Sequence, residues 1–144
     1  MTLIPEAAGS CGSPMDSDGA AWIAEYVCSS ASGPAVVAYY SYTLFQDSAS
    51  MRADYQGWLS YYEIRSGAAG PCADGLEEEG PWSPDAASPE VDSRFFCGTK
   101  DGAPGIMWTD GTTNVLVEIK GVDGADLGEL YALWSSRSLD PVRP

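Results

Sequence analysis

Residues 91–120 read VDSRFFCGTK DGAPGIMWTD GTTNVLVEIK, and this stretch decides the fold. Val91, Ser93, Phe95 and Cys97 alternate with Asp92, Arg94 and Phe96, which is the period of a β-strand over Val91–Thr99. Asp101-Gly102-Ala103-Pro104 is a turn, and Gly105–Thr109 continues as a second strand. Asp110-Gly111 is a short-hairpin signal. Asn114–Lys120 closes the meander, with Val115, Val117 and Ile119 on one face and Glu118 and Lys120 on the other. A half-solvated antiparallel strand is expected there.

Upstream, Ala21–Cys28 reads as a strand with Trp22, Ala24, Tyr26 and Cys28 on one face and Glu25 on the other. Ser29–Pro34 is turn chemistry. Ala35–Phe45 is a longer strand, with Tyr40, Tyr42 and Leu44 opposite Val37, Tyr39 and Ser41. Asp47 is an N-cap for a helix in which Met51, Tyr55, Trp58, Leu59 and Tyr62 form one apolar stripe at i, i+4, i+7, i+8 and i+11. Gly57 lowers helix propensity there by about 1 kcal/mol relative to Ala, and close packing against a sheet is the expected reason. Downstream, Gly121-Val122-Asp123-Gly124 leads into a second helix, with Leu127, Leu130, Tyr131 and Trp134 on one stripe. Asp126 and Glu129 sit in its early turns, where the helix dipole favours negative charge.

The order is ββα–loop–βββα, an α+β two-layer sandwich: an antiparallel sheet of about five strands with both helices on one face and two disulfides. The 144 residues form a single domain, with an extended N-terminal segment over 1–20, a long disulfide-tied loop over 67–90 and a tail over 136–144. The loop holds Gly70-Pro71-Cys72, the acidic run Glu77-Glu78-Glu79, and Gly80-Pro81-Trp82. Loops longer than about 12–15 residues are uncommon without a reason, and a Cys72–Cys97 bridge supplies one by tying the loop to a strand.

Cys11, Cys28, Cys72 and Cys97 form an even set without a C-x-x-C spacing, which favours structural disulfides over a redox pair or a zinc ribbon. Of three connectivities, the sequential one, Cys11–Cys28 with Cys72–Cys97, is expected, each bridge contributing about 3 kcal/mol in the chain-entropy model. The chain has no histidine, so a histidine-assisted triad is excluded. Asp16-Ser17-Asp18-Gly19 resembles the start of a calcium loop but lacks its later carboxylate ligands, and no metal or cofactor is expected. The net charge of −14 repels phosphate backbones and anionic lipid, so nucleic acid is excluded as a partner. No apolar run approaches the ~18 residues of a membrane helix. Met1-Thr2-Leu3-Ile4-Pro5 has neither the basic nor the apolar region of a signal peptide. Paired cysteines without that signal are expected in an ectodomain cut from a longer exported chain, with Met1 added for expression.

The chain resembles the short extracellular domains at the C-termini of actinobacterial eukaryotic-like serine/threonine protein kinases and related exported proteins. The likeness covers nearly its whole length. It runs through Leu3-Ile4-Pro5, Cys11, the strand ending in Cys28, Tyr42-Thr43-Leu44-Phe45 and the Asp-led helix. It continues through Pro71-Cys72, Gly80-Pro81-Trp82, Cys97-Gly98, Met107-Trp108-Thr109-Asp110 and Leu130-Tyr131-x-x-Trp134. It departs at Ser135, where a second aromatic is expected. The kinase domain itself is absent, with no glycine-rich phosphate loop, catalytic loop or Asp-Phe-Gly. The resemblance implies an extracellular or cell-surface location and a sensing or binding role, and brings no catalytic residues.

The expected function is therefore a non-catalytic extracellular ligand-binding domain of a membrane signalling protein, membrane-linked only through its parent chain. Its partner would be a small molecule, a cell-envelope component or a protein. Trp82, Tyr39, Glu77, Glu78 and Glu79 are the candidate binding residues, because long loops on rigid scaffolds often carry function. The alternatives are an exported structural or protein-interaction module and a small carboxylate-dependent hydrolase. A deep aromatic pocket favours binding, a flat apolar patch favours assembly, and two carboxyl groups facing each other across a cleft favour hydrolysis.

Overall fold

The computed structural model describes residues 15–16, 22–29, 36–82 and 93–135. The meander of 91–120 becomes three strands, β5 (Arg94–Lys100), β6 (Ala103–Asp110) and β7 (Val115–Gly121). Before it come β1 (Met15–Asp16), β2 (Trp22–Ser29), β3 (Val37–Phe45), helix α1 (Ser48–Tyr61) and β4 (Glu78–Pro81), and after it helix α2 (Leu127–Ser135). The strands form one sheet in the order β1-β2-β3-β7-β6-β5-β4, with every pairing antiparallel.

The α+β class and the antiparallel sheet agree with the sequence. The strand count does not: among the described residues the sheet has seven strands, where about five were expected. One addition is the two-residue β1, in the segment expected to be only extended. The other is β4, inside the stretch 67–90 expected to be loop. That stretch also holds a short 3-10 turn, Cys72–Asp74. Residues 83–92 and the tail 136–144 lie outside the described residues.

The helices do not share a face. The stripe of α1 (Met51, Tyr55, Leu59) and the following Tyr62 pack with Phe45, Phe96, Met107 and Leu116. Leu127 and Leu130 of α2 pack with Phe95, Cys97, Ile106, Trp108, Val117 and Ile119. Phe95 and Phe96 are adjacent on one strand, as are Met107 and Trp108, so the two sets point to opposite sides of the sheet. The molecule is a three-layer helix–sheet–helix sandwich. The physical reason is that β5, β6 and β7 each carry apolar residues of both parities, which is the pattern of strands buried on both sides. Glu118 is accordingly 6% exposed and not on a solvated face.

Asp47 caps α1: its Oδ1 accepts from the Ser50 N–H at 2.7 Å. The helix ends with Ile64 N–H donating to Leu59 O at 3.0 Å and Glu63 N–H to Ser60 O at 3.1 Å. This closing motif places Glu63 in the left-handed region, at φ 57°. Asp126 caps α2 by accepting from the Glu129 N–H at 3.1 Å. Gly128 lets α2 settle against the Cys72–Asp74 turn, where an added Cβ would meet Ala73 O at 2.7 Å.

Cys72–Cys97 is bridged as expected. It is the one disulfide with both cysteines among the described residues, where two were expected; Cys28 is also disulfide-bonded, and no described cysteine is free. The other proposed bridge needs Cys11, which lies outside the described residues; Cys28 is fully buried. Among the described residues no helix is long and apolar enough to cross a membrane.

Candidate functional site

α1 lies over β3, β6 and β7, where its apolar stripe meets Phe96, Met107 and Leu116. Beside that stripe runs a second one, Asp54, Gly57, Trp58 and Tyr61, at i, i+3, i+4 and i+7. It faces the part of the sheet that α1 leaves open. The result is a cleft of about 770 Å³. Its floor is Glu25 and Val27 of β2, Tyr39, Ser41 and Thr43 of β3, and Leu116, Glu118 and Lys120 of β7. Asp54, Gly57, Trp58, Tyr61 and Tyr62 make the helix wall.

Trp22 joins this lining through an irregularity in the β2–β3 register between Trp22 and Ala24. Simple alternation puts Trp22 with Ala24, Tyr26 and Cys28. The bulge re-aims it to the opposite face, beside Glu25, as bulges near sites commonly do. A second irregularity, between Val37 and Tyr39, puts Val37 in the cluster with Tyr40 and leaves Tyr39 on the cleft. Gly57 is also placed differently from the expectation of tight packing: no atom lies within 4 Å of where its Cβ would stand, and it faces the open cleft.

The polar groups are ordered. Ser41 Oγ donates to Glu25 Oε1 at 3.2 Å, and Trp58 Nε1–H donates to Asp54 Oδ2 at 3.2 Å. Lys120 Nζ donates to the Tyr62 hydroxyl at 2.9 Å and lies 4.9 Å from the centre of the same ring. Burial raises the Glu118 carboxyl above the usual range, and the charge of Glu25 adds to this. The neighbouring Tyr39 hydroxyl and the Lys120 ammonium work against it. Burial also raises Asp54, against the hydrogen bond from Trp58. Burial and the Glu118 charge push the Tyr39 hydroxyl far up, so it stays protonated and able to donate.

The other candidates are elsewhere. Trp82 lies on the opposite side of the sheet, its Nε1–H donating to Thr109 O at 3.1 Å and its ring edge-on to Trp108 and Trp134. It is a packing residue. The acidic run is not a flexible loop segment. Glu77 is exposed, Glu78 Oε1 accepts from the Cys72 N–H at 3.1 Å, and Glu79 is buried at 4% exposure. Glu79 accepts from Arg94 twice at 2.8 Å, from Tyr55 at 2.8 Å, from the Gly67 N–H at 2.9 Å and from Ser66 at 3.3 Å. It locks α1, β4 and β5 together.

Tyr39 is thus the one candidate that reaches the cleft. Asp54, Gly57, Tyr61, Glu25 and Glu118 were missed as site residues. The available signal was the second helical stripe, in which a carboxylate, a glycine and two aromatics repeat at helical spacing beside the apolar one. Among the described residues no group of three or more histidine, cysteine or acidic side chains is placed to hold a metal ion. The cleft can therefore offer aromatic faces, hydroxyl donors and carboxylates. Neither family models, nor curated proteins, nor solved structures yield a match to this chain.

Proposed function

We propose that this protein is a non-catalytic extracellular sensor domain that binds a small ligand in the α1–β2–β3–β7 cleft, as part of an actinobacterial membrane signalling protein of the serine/threonine kinase type. The observation that carries the binding role is the cleft itself. Its volume of about 770 Å³ falls in the range of small-molecule sites, and its aromatic lining with a few fixed polar groups is what such sites use. The Cys72–Cys97 disulfide supports an oxidising location. The placement in a kinase-type receptor rests on the sequence resemblance alone. An assembly module is less well supported, because among the described residues the exposed large apolar side chains, Ile23, Val27, Tyr61, Leu76 and Val122, are few.

The five tryptophans provide the test. Trp22 and Trp58 line the cleft, whereas Trp82, Trp108 and Trp134 cluster on the opposite face. Indole N–H signals of the oxidised protein are to be followed while polar small molecules and cell-envelope fragments are screened. A ligand that moves the first two signals and leaves the other three in place is the expected result. Turnover of a bound glycoside or ester would replace this reading with the hydrolase. A screen in which no compound moves the cleft indoles would end it.

A further inference from the structure

Resting on the proposed binding role, we propose that the cleft selects an organic cation: a protonated amine or guanidinium on a short apolar stem. Among the described residues three carboxylates, Glu25, Asp54 and Glu118, face this cavity, and one ammonium, Lys120, answers them. That ammonium is committed to Tyr62 at 2.9 Å. Arg94 pairs with Glu79 and Lys100 with Glu63, both away from the three cleft carboxylates. Glu118 is 6% exposed and takes a hydrogen bond from Tyr39, but no cation of the described residues stands at ion-pair distance from it. Such a group is costly until a cation reaches it.

The aromatic wall points the same way, independently of the carboxylates. The chain already places cations on these rings: Lys120 Nζ lies 4.9 Å from the Tyr62 centroid, and Lys100 Nζ lies 5.2 Å from that of Tyr61. A cation on an aromatic face gains roughly 0.5–2 kcal/mol, most where water is excluded. Trp58 and Tyr61 meet edge to face at 5.6 Å, giving a ligand's stem an apolar flank beside the carboxylates. The net charge of −14 raises the local concentration of cations and lowers that of anions. Burial raises both Asp54 and Glu118, and a bound cation relieves that penalty.

The experiment is a titration of the oxidised protein with 1,5-diaminopentane, agmatine, 1,5-pentanediol and N-acetylglucosamine, read on the five indole signals. Saturable shifts of Trp22 and Trp58 with the two cations and none with the diol are expected. Glu118→Gln should weaken cation binding by about 10-fold. Trp58→Ala should weaken it comparably although the net charge is unchanged. Glu77→Gln, which removes one charge outside the cleft, should leave it unaltered. Unmoved signals of Trp82, Trp108 and Trp134 verify that each variant is folded.

Equal binding of diol and diamine overturns the inference, as does an effect of Glu77→Gln as large as that of Glu118→Gln, or the absence of saturable shifts with either cation. If the saccharide alone moves Trp22 and Trp58, the cation assignment falls and the binding role stands.

Discussion

Arg94 holds Glu79 through two hydrogen bonds of 2.8 Å, Nε to Oε2 and a terminal guanidinium nitrogen to Oε1, and the carboxylate is sealed beneath α1. Burial alone would raise this carboxyl. The bonds from Arg94, Gly67 and Tyr55 prevail and bring it down to about 2. A carboxylate lowered on folding stabilises the protein above its ordinary value and ceases to do so as pH falls through the lowered one. Stability should therefore decline between the ordinary value of 4.5 and about 2, by on the order of 3 kcal/mol. Urea unfolding across this window measures it, and Glu79→Gln should flatten the decline.

Glu118 has the opposite sign. Its folded-state carboxyl is raised by burial, so its unfavourable contribution is absent below the ordinary carboxylate value. It develops as pH rises from there through the raised one. Glu118→Gln should accordingly raise the thermal midpoint at neutral pH, with the gain vanishing in acid. Loss of stability at every pH would mean that the attraction of Lys120 outweighs desolvation. A stability gain paired with weaker cation binding is the mark of a residue kept for its ligand.

Removing the Cys72–Cys97 bridge, which spans a sequence separation of 25, should cost about 3.5 kcal/mol by the chain-entropy relation. Both cysteines are fully buried, so paired Cys→Ala replacement adds small cavities to that figure. The Cys72–Asp74 turn supports α2 at Gly128. Denaturation followed by Trp134 fluorescence should therefore report the loss, while the Trp58 signal in the native baseline stays unchanged.

Tyr42 and Tyr55 should respond oppositely to loss of the hydroxyl. The buried Tyr42 hydroxyl has no hydrogen-bond partner among the described residues, so Tyr42→Phe should be neutral or stabilising by up to about 1 kcal/mol. The Tyr55 hydroxyl donates to Glu79 at 2.8 Å, and Tyr55→Phe should cost about 1.5–3 kcal/mol, as for bonds to charged groups. Equal losses for the two variants in urea titrations would contradict this.

The elements themselves were legible in sequence. Period-two alternation located β2, β3, β5, β6 and β7 to within a few residues, and helical spacing with Asp47 located α1. The layering was misread because alternation was followed on one parity. Phe96, Met107 and Leu116 lie between the apolar residues of that parity, and they are the floor on which α1 rests. β4 was missed because Glu78-Glu79-Gly80-Pro81 has little intrinsic preference for a strand. It pairs with β5 because Glu79 finds Arg94 and Tyr55, partners distant in sequence. The cleft was legible only through Tyr39. Two of its other elements, the re-aimed Trp22 and the desolvated Glu118, depend on a register irregularity and on a helix position that pattern alone does not fix.

Two apolar clusters on opposite sides of one sheet have a consequence for how this chain tolerates change. Leu59 belongs to one cluster and Leu130 to the other, and the backbone of the strands stands between them. Substitutions in separate clusters without shared partners add in free energy. Substitutions in the layer that builds the cleft should therefore leave the packing energies of the layer bridged by Cys72 and Cys97 unchanged. Each face carries its own share of the folding free energy, and losses on the two faces sum without compounding.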